Sequence, residues 1–293
     1  MLIPLSAKIV FVEAPNRARF PYCHCLLIDD DIKVIIDSSC GSENLELLDS
    51  YHIDIVLNSH FHEDHILHNN HFTPAEVWAH ALDAPAIRSM EIFKDFYGFQ
   101  DGSKKIGDSF IESIKLQASP VHREITDGEI LDFGQLKIQV VHTPGHTPGH
   151  CCFFEEKSGL LFSGDIDLSG FGPWYGHACS NIDDFISSIE KCQAIKPGII
   201  VSAHKGIIRD DIPKRLQKYK DTIYRKEELL LSALSRMPIS LEGLSKEKIF
   251  YGQRVQFDPL TILMETMAIE KHLERLLRLK EIKQEGDLFY LNS

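Results

Sequence analysis

Short β-prone apolar runs recur through the first two-thirds of the chain, and each stops at histidine, aspartate, serine or glycine. Ile53-Asp-Ile-Val-Leu57 is one such run, and residues 136–141, 159–163 and 199–202 form others. Apolar runs this short fit buried strands. Between the last two, Ser180-x-x-Asp183 reads as a capping box that opens a helix with Ile182, Phe185, Ile186 and Ile189 on one face. Strands alternating with helices predict an α/β (α+β) fold of sheets flanked by helices.

The pattern changes near Asp210-Asp211-Ile212-Pro213, an acidic pair before proline that suits a helix start. Leu216, Tyr219, Ile223, Leu230 and Leu234 continue one face as far as Met237-Pro238. A later helix begins near Pro259, with Ile262, Ile269, Leu273, Leu276 and Leu277 expected to point inward. Residues 282–291 then read as two short strands around Gly286. Two units are therefore expected, residues 1–210 and a small helical unit at 211–293.

Composition narrows the class. The 293 residues are 43% hydrophobic, enough for one large unit and one small one. No apolar run approaches the ~18 residues of a membrane span. The amino terminus lacks a basic-then-apolar leader, so a cytoplasmic protein without a membrane partner is expected. Seven cysteines without a CxxC pair suit buried free thiols, with Cys40 the one nearest the expected chemistry. The net charge of −12 argues against nucleic acid as a partner. From Lys205 onward 17 Lys and Arg face 14 Asp and Glu, so the acidic excess lies before the tail. Lys271, Arg275, Arg278 and Lys280 alternate with Glu270, Glu274 and Glu281, which reads as a solvated helix face or a cleft wall. A small-molecule substrate is expected, and a homo-oligomer is compatible with the composition.

The chemistry is concentrated in His60, His62, Asp64, His65, His146, Asp165 and His204. Four of these fall in one six-residue run, and the others each follow an apolar segment. Imidazole and carboxylate at this density suit a pair of borderline divalent cations, zinc by default, with iron or manganese fitting the same ligands. His60 and His62 lie two apart, so an extended backbone turns both imidazoles to one side, while the adjacent Asp64 and His65 would point apart. The loop Gly170-Phe-Gly-Pro-Trp-Tyr-Gly-His177 follows Asp165 closely, and Tyr175 and His177 are candidates to contact substrate or protonate a leaving group. Phe93, Phe96, Tyr97 and Phe99 have the spacing of helix core. His24, His52, His68, His71, His80, His122, His142, His150 and His272 carry no ligand context and are expected to be structural.

Five stretches, in order, resemble the motifs of the metallo-β-lactamase superfamily. Ile35-Ile36-Asp37-Ser38-Ser39-Cys40-Gly41 is similar to the first motif, and residues 60–65 match the HxHxDH run. His142-Thr-Pro-Gly-His146-Thr-Pro-Gly-His150, Ser163-Gly-Asp165 and Ser202-Ala-His204 resemble the third, fourth and fifth. The resemblance implies a four-layer αββα sandwich with metals at one edge of its two sheets. It implies that His60, His62 and His146 hold one metal, and Asp64, His65 and His204 the other. Asp165 would bridge them, with Asp37 close to the ligands. The tail resembles the winged-helix-like tail of the LACTB2-type branch, beside the glyoxalase II-like one, and that branch includes a hydrolase acting on RNA. The glycine- and arginine-containing loop of glyoxalase II is replaced here by the Trp174-Tyr175 loop, which disfavours a glutathione thioester.

The expected activity is that of a dinuclear metal-dependent hydrolase using a metal-bridging hydroxide, oriented by Asp64, on a small ester or thioester. A thiolate leaves without an acid, which favours thioesters in a chain with no clear general acid. The alternatives are a phosphodiesterase or single-stranded RNase of the LACTB2 type, and a non-catalytic metal-containing binding protein.

Overall fold

A computed structural model describes residues 1–252 and 258–292. The first sheet runs in chain order through β1 (Leu2–Pro4), β2 (Ile9–Val12), β3 (Cys25–Asp29), β4 (Lys33–Ile36), β5 (Ile55–Leu57), β6 (Glu76–His80) and β7 (Arg123–Ile125). Its strands pair antiparallel up to β4 and parallel from β4 to β7. The second sheet holds β8 (Ile130–Asp132), β9 (Lys137–His142), β10 (Cys151–Glu155), β11 (Leu160–Phe162), β12 (Ile199–Ser202) and β13 (Gly206–Ile208). Only β11 and β12 pair parallel there.

Parallel neighbours require crossovers, and helices supply them. α1 (Ser42–Leu48) joins β4 to β5, and the short α2 (Glu63–Ile66) follows β5. α3 (Ala84–Arg88), α4 (Met90–Tyr97) and α5 (Lys104–Ile114) lie between β6 and β7. α6 (Ile182–Ile195) crosses from β11 to β12.

Alternation along the second sheet sorts the layers. Val140, Cys151, Phe153, Leu160, Phe162 and Val201 join Leu26, Ile35 and Val56 in the core between the sheets. Their neighbours Val141, Cys152, Leu161 and Ile200 face outward and are covered by Ile182, Phe185 and Ile189 of α6. The arrangement is the expected sandwich of two sheets with helices outside. The cap of α6 corrects one expectation. Asn181, not Ser180, accepts from the Asp183 and Asp184 backbone N–H groups, because the helix starts at Ile182. The Ser180 hydroxyl instead donates to the His146 carbonyl at 2.9 Å.

Beyond β13 come α7 (Ile212–Arg236), β14 (Ile239–Ser240), α8 (Leu241–Lys246), α9 (Pro259–Arg278), β15 (Ile282–Glu285) and β16 (Leu288–Leu291). β14 pairs with β16, so a strand near the start of the tail completes a small sheet with its hairpin. Leu230, Leu234, Leu244, Ile269, Leu273, Leu276 and Phe289 form its own core. The first half of α7 packs differently, with Leu216, Tyr219 and Ile223 over the second sheet beside α6. Ile262, expected inward, is 45% exposed. The first two turns of α9 bring Leu260 and Met264 toward the two-sheet part of the chain instead. No described helix is long and apolar enough to cross a membrane.

Phe162 is fully buried between the sheets, whereas Phe154 is half-buried outside them. Phe162→Ala should cost about 3–5 kcal/mol in denaturant unfolding of the metal-free protein, and Phe154→Ala distinctly less.

Candidate metal centre

The ends of β4, β5, β11 and β12 open onto one edge of the sandwich, where Asp37, residues 60–65, Asp165 and His204 follow them. His146 arrives on the loop between β9 and β10. Rigid strands thus fix short loops that carry the functional groups. Gly145 allows the last of these, since a Cβ there would sit 2.2 Å from the Phe185 backbone nitrogen.

All seven predicted ligands come together. His60, His62, His146 and Asp165 present donor atoms within 4.8 Å of one another, and so do Asp64, His65 and His204. Asp165 stands between the groups with its oxygens divided. Oδ2 lies 3.1 Å from His146 Nε2 and 3.9 Å from His60 Nε2. Oδ1 lies 3.1 Å from His65 Nε2 and 3.3 Å from His204 Nε2. Asp64 and His65 do not point apart, because α2 is helical where an extended chain was expected. Asp64 Oδ1 lies 3.8 Å from His65 Nε2, and its Oδ2 lies 3.5 Å from His204 Nε2.

Four rings are oriented from behind. His65 Nδ1 meets Asp37 Oδ2 at 2.8 Å, His146 Nδ1 the Trp174 carbonyl at 2.8 Å, and His204 Nδ1 the Ala18 carbonyl at 2.7 Å. His60 Nδ1 lies 2.9 Å from the Ser59 hydroxyl, which donates to Asp37 at 2.8 Å. Each contact leaves Nε2 for the centre, which is how outer partners position metal-binding histidines. His62 Nε2, His65 Nε2 and Asp165 Oδ1 are buried without a hydrogen-bond partner. Buried polar atoms are rarely left so, and these fit the donor set of divalent cations.

The electrostatics differ between the two donor groups, and His65, like His204, is pushed above the usual histidine range despite its burial. Burial, then the neighbouring imidazoles, push His60 and His62 well below the usual histidine range, into the neutral form that ligates. Burial opposes protonation of His204 too, but Asp165 and Asp64 outweigh it and push its pKa up to about 10. Against burial, His204 and His65 hold the Asp165 carboxyl well below its ordinary value.

Residues 18–204 match the sequence pattern described as the Metallo-beta-lactamase superfamily. The chain belongs to this superfamily. Its relatives include a protein named lactamase-like protein nscB from Trichophyton rubrum, 30% identical over 131 residues, covering 44% of this chain and 38% of that one. Another, named atrochrysone carboxyl ACP thioesterase, from Aspergillus fumigatus, is 27% identical over 165 residues, covering 53% of this chain and 37% of that one. The chain thus spans less than half the length of these two relatives. Among solved structures, a metallo-beta-lactamase family protein of Thermus thermophilus superimposes with a TM-score of 0.75 at 22% identity, covering 99% of this chain and 100% of that chain. A protein described as TTHA1623 in a di-iron-bound form gives 0.53 at 21% identity, covering 66% and 93%. Both structures share the fold.

The superfamily edge opens into a cleft of about 870 Å³ lined by His62, Asp64, His146, Asp165, His177 and His204. A hollow of about 890 Å³ beside α8 and α9 is as large, but its lining contains no histidine or cysteine. His177 is buried, its two nitrogens lack partners, and its ring lies 4.5 Å from that of His62. Tyr175, the other candidate from that loop, is turned away from the cleft. Its hydroxyl lies 2.7 Å from His272 Nε2 within the core beneath α9. Consecutive extended side chains point to opposite sides, so Trp174 takes the cleft face and Tyr175 the core.

Phe93, Tyr97 and Phe99 are core as expected, yet Tyr97 also lines the cleft and donates to Glu63 Oε2. Burial and the adjacent Asp64 push Glu63 up to about 8. Glu63 had no signal of its own beyond its place inside the histidine run. Asp83 was also missed. Its buried carboxylate accepts from the Phe61 backbone at 3.1 Å, the Thr147 hydroxyl at 2.6 Å and the Gly149 backbone at 2.6 Å. It thereby ties the loop of His60 and His62 to that of His146, a role invisible in a lone Asp. Cys40 is fully buried and packs as inert core.

Asp83→Ala should therefore loosen one half of the centre. Competition with a chelator should show metal affinity lowered by roughly 10–100-fold, with Asp83→Asn less affected because its amide oxygen still accepts.

Proposed function

We propose that the protein is a dinuclear metal-dependent hydrolase of a small ester or thioester. The division of the Asp165 oxygens between the two donor groups carries this reading. His60, His62 and His146 would hold one ion, Asp64, His65 and His204 the second, and Asp165 both. Zinc suits the nitrogen-rich set, and iron or manganese fits the same donors. Divalent cations held there supply activation of water and stabilisation of the negative charge that develops on the substrate.

The chain's own groups do the rest. Asp64 keeps a carboxylate at the floor of the cleft, where it orients the attacking water. His177, neutral through burial, offers its unpartnered nitrogens to the substrate from the wall beside His62. Trp174 shields that wall from solvent and holds His146 through its carbonyl. A thiolate leaving group needs no proton donor. The thioesterase name of one relative supports thioesters over other esters.

The pairing of the tail's cations weighs against an RNase. Arg275 pairs with Asp183 and Glu227, Arg278 with Asp183, and Lys271 donates to the Ala178 carbonyl. The expected solvated face or cleft wall is thus a set of ties holding α9 to the catalytic unit, and those cations are engaged internally. The helices and β14-completed hairpin of the tail support placement near the LACTB2-type branch by fold. The complete donor set weighs against a non-catalytic binding protein. All seven cysteines are free, which suits the reducing cytoplasm.

Elemental analysis of reconstituted protein should count two ions per chain; a stoichiometry fixed at one and unmoved by His204→Ala or Asp64→Ala would sink the dinuclear reading. Activity against a panel of thioesters, lactones, phosphodiesters and short RNA should be highest on a thioester. Among single ligand changes Asp165→Ala should be the most damaging, whereas His142→Ala should retain most activity. The reverse order would refute the assignment, since the His142 ring meets the Pro148 carbonyl and stacks on His80, away from the centre.

A further inference from the structure

The cleft has two unlike rims, and the difference bears on what the substrate carries. At the His204 end the chain makes a left-handed turn through Asn16, Arg17 and Ala18, with φ of 52°, 57° and 50°. Three consecutive non-glycine residues in this region are costly, and such strain persists where surrounding structure enforces it, commonly at functional sites. Here the turn has a visible product. It delivers the Ala18 carbonyl to His204 Nδ1 at 2.7 Å and leaves Arg17 and Arg19 on either side, both exposed and both lining the cleft. Lys205, next to His204, lines the same rim. Among the described residues, none of these three cations forms an ion pair. Glu13 and Asp167 also line this end of the cleft, so three cations stand against two carboxylates there, in a chain of net charge −12.

The opposite rim is apolar. Trp174 stands about the His62 and His146 rings at 6.0 and 5.9 Å, and Leu260 and Met264 of α9 extend its wall. Phe20, 49% exposed, stacks on Phe110 at 5.9 Å across the mouth. Unpaired cations beside His204, and apolar surface from Phe20 and Phe110 to Trp174, Leu260 and Met264, call for a substrate that is anionic at one end and apolar at the other.

We propose that Arg17, Arg19 and Lys205 bind the phosphate of a thiol arm, and that the substrate is an apolar acyl thioester carried on that arm. This rests on the hydrolase reading above and specifies its substrate class. Water adds to the thioester carbonyl, the C–S bond breaks, the thiolate leaves with the arm, the acyl group departs as a carboxylate, and the two protons of the water pass to solvent. The phosphate stays at the His204 rim, and the acyl group lies along Trp174 and Met264. A phosphopantetheine arm, free or on a carrier protein, and coenzyme A share this chemistry.

The test compares three hexanoyl thioesters on metal-loaded enzyme: of N-acetylcysteamine, which is neutral, of phosphopantetheine, and of coenzyme A. The phosphate-bearing substrates should have the higher kcat/KM, and added salt should erode the advantage. Arg17→Glu/Arg19→Glu should shrink the charged-to-neutral kcat/KM ratio by roughly tenfold or more, and Arg17→Lys/Arg19→Lys should keep it. Equal preference for phosphopantetheine and coenzyme A assigns recognition to the shared phosphate, and a further gain with coenzyme A adds its nucleotide phosphates to the same rim. Binding of phosphopantetheine to metal-free protein, by calorimetry, gives a readout independent of turnover and should weaken in parallel in the reversal variant. A ratio unchanged by charge reversal overturns the proposal and leaves the thioesterase reading standing. Failure to hydrolyse any of the three thioesters removes that reading, and the calorimetric titration then decides the rim alone. Preferential binding and cleavage of a short RNA overturns both.

Discussion

The structure turns on one carboxylate at the floor of the cleft. Asp165 sits among four imidazole nitrogens at 3.1–3.9 Å, with one oxygen toward each donor group. Bringing this much polarity into a protein interior is unfavourable unless every group finds a partner. The protein partners four of the five rings on their outer side and leaves the inner side open. His62 Nε2, His65 Nε2 and Asp165 Oδ1 are buried without a hydrogen bond. That asymmetry is what a cation-binding centre requires.

The outer partners explain why the surrounding loops are shaped as they are. Asp37 receives the Ser59 backbone and hydroxyl together with His65 Nδ1, so one carboxylate aligns the first and second motif loops. Asp83 does the same for the second and third. The strained turn at Ala18 exists to present a carbonyl to His204. Such contacts cost little sequence and fix ring orientation closely.

The tail participates through the 170–177 loop. Trp174 Nε1 donates to the Tyr251 hydroxyl at 2.8 Å, and Tyr175 bonds His272 of α9. Lys226 of α7 donates to the Pro173 carbonyl at 3.4 Å and lies 4.0 Å from the Phe171 ring. Burial in this aromatic surround pulls its pKa down to about 7. Because the Trp174 carbonyl holds His146, the tail braces a histidine of the centre without touching it. The acidic residues that engage Arg275 and Arg278 complete the attachment.

The sequence alone determined the strand ends, the helix of the tail and its hairpin, and all seven residues that meet at the centre. Those were legible because apolar periodicity marks strands locally, and because imidazole and carboxylate are rare enough at such density to stand out. The tertiary structure alone decided the rest. Asp64 and His65 converge because α2 curls where spacing suggested an extended chain. Tyr175 faces the core, where His272 meets its hydroxyl, and Trp174 faces the cleft, where Tyr251 meets its indole nitrogen. Asp83, Glu63, Arg17 and Arg19 acquire meaning from neighbours far away in the chain. A single polar residue carries no periodic signal, and its role is set by what the fold packs against it.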